Sequence, residues 1–324
     1  MQKRLIERAS ELLADGTVSR VLGWKRGEFS YDPTPAVFET AQELERDFVY
    51  GAFCGANLSK YLIRESAGDG RVLVFLKPCD AFSLNQLLAE HRIAREKVYA
   101  IGIPCEGMAD IFKIKARGIE GVTGIEEDGA DFTVGTMYGA ERVPKKEVLE
   151  ERCLVCKSKR HPVYDELIGE EGADEPDDAR FEAVAKLEAM TADERYAFWQ
   201  GELSRCIRCN ACRNVCPACS CETCVFDNPA SGVDHKAAAD SFEESLYHII
   251  RAFHVAGRCT DCGECSRVCP ERIPLHLLNR KFIKDIDELY GAYRAGEDEA
   301  GKNPLVSFAA GDAEPSVVRE RGRA

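Results

Sequence analysis

Two stretches decide the C-terminal half of this chain: Arg205 to Pro217 (RCIRCNACRNVCP) and Arg258 to Pro270 (RCTDCGECSRVCP). Each spells C-x2-C-x2-C-x3-C-P. The first runs through Cys206, Cys209, Cys212 and Cys216, and the second through Cys259, Cys262, Cys265 and Cys269. Thiolates at this spacing hold cubane [4Fe–4S] clusters. Three cysteines at x2 intervals let one tight turn of backbone wrap three corners of a cube. The fourth, set off by three residues and followed by proline, points away.

In two-cluster ferredoxins that fourth cysteine ligates the other cluster. The spacing therefore assigns Cys206, Cys209, Cys212 and Cys269 to one cluster, and Cys259, Cys262, Cys265 and Cys216 to the second. Such a crossing brings the two cubes together and staples the domain. Zinc is the competing reading, since paired C-x2-C hooks also build four-thiolate zinc sites. Zinc does not call for a third C-x2 step or a trailing C-P, and here both occur twice.

The chain has 324 residues, 16 cysteines and a net charge of −13. That length suits about two domains, and the acidic balance disfavours nucleic acid as a partner. No run of apolar residues is long enough to span a membrane. The opening MQKRLIERASELLADGTVSR reads as an amphipathic helix rather than an export signal, which also weighs against disulfides. Thiol-rich and without such a signal, the sequence predicts a cytoplasmic protein of anaerobic metabolism.

Residues 1–167 read as an α/β domain with a parallel sheet. Arg71 to Leu76 (RVLVFL) and Val98 to Ile103 (VYAIGI) are short apolar runs of the kind buried on both faces of a sheet. Between them, Phe82, Leu84, Leu87 and Leu88 recur with helical spacing over Asp80 to Ile93. Strand, helix and strand with short joints predict a βαβ unit. A further helix is expected from Met108 and a further strand over Phe132 to Met137.

Residues 168–180 (IGEEGADEPDDAR) read as an acidic linker. Residues 181–294 read as an all-α domain. Thr191-Ala-Asp-Glu194 predicts a capping box that opens a helix leading to Cys206. The segment between Cys216 and Cys259 is much longer than the loop of a small ferredoxin. Over Asp240 to Val255, Phe242, Leu246, Ile249, Ile250 and Phe253 make one apolar stripe, expected to pack into the core. Another helix is expected over Pro274 to Leu289, and a loose acidic tail over 295–324.

Residues 205–285 resemble the α-helical ferredoxin domain of heterodisulfide reductase, succinate dehydrogenase and related iron–sulfur subunits. The text around both motifs is similar to that of hydrogenase and formate dehydrogenase iron–sulfur subunits. Lys77-Pro-Cys-Asp80, Gly102-Ile-Pro-Cys-Glu-Gly107 and Cys153-x2-Cys156 resemble the beta subunit family of coenzyme F420 hydrogenase/dehydrogenase. That family implies a further [4Fe–4S] cluster and a flavin, FAD, in the N-terminal part.

Cys79 and Cys105 stand at the ends of the two predicted strands, where parallel α/β sheets bind ligands. With Cys153 and Cys156 they give four thiols for a third cluster, and Cys54 is a spare. The alternative is that Cys79 and Cys105 are small buried hydrophobes. No G-x-G-x-x-G follows a strand, so the usual dinucleotide fingerprint is missing. Lys77, Asp80 and Glu106 are candidate contacts at a cofactor mouth, with helix capping the competing role for Asp80. Cys219, Cys221 and Cys224 read as local structure beside the first motif. His248 and His254 are not expected as ligands, since each cluster already has four thiolates.

A cluster with four thiolates has no open iron, so the C-terminal half reads as a relay. The sequence thus predicts an electron-transfer subunit of a larger oxidoreductase complex whose partners are other redox subunits. Two alternatives stay open. In one, flavin in the N-terminal domain exchanges hydride and feeds the clusters. In the other, the chain is a zinc-bearing scaffold.

Overall fold

The structure, a computed structural model, describes residues 1–174, 179–231 and 241–307. The chain divides into two units, Met1–Leu84 with Glu90–Asp177, and Asn85–Ala89 with Asp178–Ala324.

In the first unit, α1 (Gln2–Ala14) buries Leu5, Ala9 and Leu12 along one stripe. β1 (Arg20–Lys25) and β2 (Thr34–Phe38) pair antiparallel, and α2 (Ala41–Asp47) and α3 (Ser59–Glu65) follow. β3 (Val72–Leu76) is buried at every position and runs parallel to both β1 and β4 (Val98–Gly102). The crossover is α4 (Pro78–Ala89). Its first residue, Pro78, lacks an N–H that a first helical turn would leave unsatisfied anyway. The Asp80 carboxylate accepts the Lys77 N–H at 3.3 Å and closes the helix start.

The Met108 helix begins later than its apolar pattern suggests. Asp110 caps the Phe112 N–H at 2.8 Å, so α5 covers Ile111–Ala116. The strand expected over Phe132 to Met137 joins a separate antiparallel meander of β5 (Val122–Asp128), β6 (Asp131–Thr136) and β7 (Gly139–Pro144). Its first turn is Gly129-Ala130 between the paired Asp128 and Asp131, with Gly129 at φ 59°. The Asp-Gly step was the local signal for that hairpin. Phe132, Val134 and Val143 pack there on Ile114, Ile119 and Val148. Two short turns, α6 (Lys145–Val148) and α7 (Glu151–Leu154), lead to β8 (Glu166–Leu167) at the sheet edge. The main sheet has the order β2-β1-β3-β4-β8 and is parallel except for β2.

The second unit is helical: α8 (Glu182–Glu188), α9 (Ala192–Leu203), α10 (Ala211–Asn214), α11 (Ser241–Val255), α12 (Glu264–Arg267) and α13 (Leu275–Tyr290). The capping box of Thr191 and Glu194 opens α9 as expected. Within the expected linker, residues 175–178 lie outside the described residues, but both ends are built in. Ile168 N–H donates to the Gly102 carbonyl at 3.0 Å, and Arg180 is buried in the second unit. Of the expected tail, residues 308–324 lie outside the described residues, whereas Ala295 is buried. No helix among the described residues is long and apolar enough to cross a membrane.

α11 overturns its sequence reading. Phe242 is 72% exposed, Phe253 63%, Ile249 44% and Leu246 43%. The buried side carries Glu244, Tyr247, His248, Arg251, Ala252 and Val255 instead. The interior of this unit holds the cysteine loops rather than hydrocarbon alone. A polar helix face is therefore the one that finds partners there.

Candidate iron–sulfur site

The two motifs fold alike, residue for residue. Arg208 (φ 54°) and Asn210 (φ 61°) in the first, and Asp261 (φ 57°) and Gly263 (φ 67°) in the second, occupy equivalent positions in the left-handed region. For residues other than glycine this conformation costs about 1–2 kcal/mol, so its repetition reflects a shared demand. It turns backbone N–H groups inward, as in anion-binding nests. The Arg208 N–H donates to Cys206 Sγ at 3.3 Å, and the Asp261 N–H serves Cys259 in the same way. The short helices α10 and α12 then carry Cys212 and Cys265 inward, and both thiols are buried.

The eight motif cysteines fall into two cavities. One is lined by Cys206, Cys209, Cys212 and Cys269, the other by Cys259, Cys262, Cys265 and Cys216. The trailing cysteine of each motif thus faces the cavity of the other. Each space is ringed by four cysteines. Among the described residues no three His, Cys, Asp or Glu side chains stand close enough to hold a single metal ion.

Burial governs the thiols. It pushes Cys206 and Cys265 up to about 12, and drives Cys259 and Cys262 upward as well. Cys216 departs from this pattern: the Cys219 thiol donates to it and pulls it down, and Cys219 rises in return. Assembly of a metal centre therefore has to expel protons from most of these sulfurs.

Polar groups back the cavities. His248 Nε2 lies 3.3 Å from Cys206 Sγ, and burial holds this imidazole down at about 4, so it is neutral near pH 7. Asn279 Nδ2 lies 3.8 Å from Cys265 Sγ. Asp261 accepts Arg180 at 3.0 Å and Arg280 at 3.1 Å, with all three side chains buried. Arg251 donates to the Cys212 carbonyl at 3.0 Å. Of these residues the sequence reading weighed only His248, as a residue not expected to be a ligand. Their signal was the spacing of Glu244, His248 and Arg251, which put three polar groups on one helix face between the motifs.

In the first unit, Cys79 sits in the first turn of α4, Cys105 follows β4, Cys153 lies in α7 and Cys156 just beyond it. Cys105 is within electrostatic reach of Cys79, Cys153 and Cys156. The fold thus brings Cys105 near three thiols from distant parts of the sequence. The Met108 N–H donates to Cys153 Sγ at 3.3 Å, and burial pushes that thiol up to about 12. A Cβ on Gly107, whose φ is 111°, would stand 3.4 Å from the Cβ of Cys153. Cys54 is buried, with its thiol 3.6 Å from the Val49 carbonyl.

Lys77 is not at an open mouth. Its ammonium is buried 2.8 Å from Asp80, donates to the Ala56 carbonyl at 3.0 Å and lies 4.3 Å from the Trp24 ring centre. Its charge is thus met by internal partners. Glu106 is exposed. Cys221 is exposed as well, and Cys224 hydrogen-bonds with Arg213.

Residues 202–273 match the family model of the 4Fe-4S dicluster domain. Over 349 aligned residues the chain is 25% identical to the F420-dependent formate dehydrogenase subunit beta of Methanocaldococcus jannaschii, covering 89% of this chain and 90% of that one. It is also 25% identical to the F420-dependent formate dehydrogenase 1 subunit beta of Methanococcus maripaludis, over 89% of each. A chain of the F420-reducing [NiFe] hydrogenase complex from Methanosarcina barkeri gives a TM-score of 0.39 at 15% identity, covering 63% of this chain and 86% of that one. The chain resembles the beta subunits of the F420 hydrogenase/dehydrogenase family along nearly its whole length and carries an α-helical dicluster domain within it.

Proposed function

We propose that this chain is the iron–sulfur subunit of an oxidoreductase complex of the F420-dependent formate dehydrogenase type, and that it relays single electrons through two [4Fe–4S] clusters. The observation that carries the reading is the pair of cavities, each ringed by three cysteines of one motif and the fourth of the other. Four thiols around a space, rather than around a point, suit a cube better than a zinc ion. In a zinc site, with bonds of about 2.3 Å, the sulfurs would close on one centre. The buried Nε–H of Arg251 has no hydrogen-bond partner among the described residues, and a buried donor of this kind calls for an acceptor.

Bound there, each cluster takes up and releases one electron at a time. Around it, the inward N–H groups of both loops hold sulfur orientation. Cys206, Cys209, Cys212 and Cys269 are the ligands of one cluster; Cys259, Cys262, Cys265 and Cys216 are those of the second. The gathering of Cys79, Cys105, Cys153 and Cys156 favours a third [4Fe–4S] cluster in the N-terminal unit. The names of the relatives favour formate and F420 as the two ends of the electron path, with other redox subunits as partners.

The test is iron, acid-labile sulfide, zinc and flavin per chain after purification without oxygen. About twelve iron and twelve sulfide support three clusters, and about eight support two alone. Stoichiometric zinc in place of iron overturns the reading. Bound FAD would add hydride exchange to the relay.

A further inference from the structure

We propose that Arg251 is a shared charge that sets the reduction potentials of both clusters together. The inference rests on the two-cluster reading and goes beyond it. Arg251 lies on the buried face of α11, 4% exposed, between the two sets of cysteines. On one side its Nη2 donates to the carbonyl of Cys212, a residue of the first cavity, at 3.0 Å. On the other its guanidinium is within hydrogen-bonding reach of the Cys265 thiol, in the second cavity, and of Cys219, which in turn donates to Cys216. Its Nε–H has no partner among the described residues.

The consequence is electrostatic. Reduction adds one negative charge to a cluster. A fixed cation nearby stabilises that charge, more strongly when both are out of water, and net charge and hydrogen bonds to sulfur set cluster potentials. A guanidinium does not lose its proton in proteins, so the effect holds at every working pH. His248 differs, since it is neutral and touches Cys206 of the first set alone. Arg251 is therefore a positioning residue for charge at both centres. It raises the two potentials in step and keeps them matched for transfer between the cubes.

The experiment measures both midpoint potentials by EPR-monitored redox titration of the full, iron-loaded chain, as wild type, R251Q and R251K. The proposal expects both potentials to fall in R251Q and to return toward wild type in R251K. A fall in one potential alone, or in neither, overturns it. An equal fall in R251K assigns the effect to shape rather than charge and overturns it too. If R251Q holds no iron, R251K decides: retained iron with potentials near wild type supports the proposal, and loss of iron there as well makes Arg251 a folding element only. The wild-type iron count and its two reduced-state signals test the two-cluster reading separately.

Discussion

Cys216 and Cys269 occupy the same position in their two motifs, and each lines the cavity built by the other motif. This exchange ties the loop before α11 to the loop after it. Neither cavity is complete without both.

The exchange predicts how cysteine variants group. Cys216→Ser should damage the same centre as Cys262→Ser, although the two residues belong to different motifs. Cys209→Ser should damage the other. Each should remove about four iron atoms, with partial unfolding, because metal binding and folding are coupled. EPR of the reduced variants separates the cases. If Cys216→Ser and Cys209→Ser lost the same signal, the crossing would be wrong.

Cys153→Ser tests the N-terminal centre. If Cys79, Cys105, Cys153 and Cys156 hold a cluster, iron should drop from about twelve to about eight per chain while both dicluster signals persist. Iron unchanged from wild type would remove the third centre.

Lys77 and Asp80 give a stability prediction in the first unit. Lys77→Met leaves a carboxylate buried without its cation, a change that costs about 3–5 kcal/mol. The double variant Lys77→Met/Asp80→Asn should recover part of that loss in urea titrations. Burial, the largest single influence, lowers the Lys77 ammonium's hold on its proton, but Asp80, Cys79 and Cys105 together outweigh it and keep the group above its usual value. The pair's stabilisation should thus be complete below about pH 10.4, the free lysine value, and be lost only as pH rises through the higher folded value. A stability gap between wild type and Lys77→Met that closed near neutral pH would contradict this.

Asp261→Asn should be costly in the second unit. It leaves Arg180 and Arg280 buried without their shared carboxylate, again on the order of 3–5 kcal/mol. The denaturation midpoint of the iron-loaded protein should fall accordingly. Arg180→Met alone should cost less, since Asp261 keeps Arg280.

Much of this site was legible because its information is local. The spacing of Cys206 to Cys216 and of Cys259 to Cys269 fixes which thiols share a loop, and the trailing Cys-Pro marks the one that leaves it. The apolar runs at Val72–Leu76 and Val98–Gly102 likewise specify buried strands, because a five-residue apolar run with polar flanks has few other ways to leave water. The capping box at Thr191 acts within a few residues of chain, whatever the rest does.

What only the tertiary structure decided is which surfaces meet. The apolar stripe of Phe242, Leu246, Ile249 and Phe253 announces an amphipathic helix, yet α11 turns that stripe outward and buries Glu244, His248 and Arg251. Amphipathic spacing records that a helix has two faces. It does not record whether its neighbours are hydrocarbon or the sulfur and carbonyl groups of two cysteine loops. Arg180, in a stretch that reads as linker, is buried for the same reason: its partner Asp261 lies far along the chain. The sequence by itself determined the thiol sets and the strands, because covalent spacing and local hydrogen bonds act within a few residues. The tertiary fold alone decided the burial of Arg180 and Arg251 and the convergence of Cys79, Cys105, Cys153 and Cys156, because those energies depend on partners that only folding brings within reach.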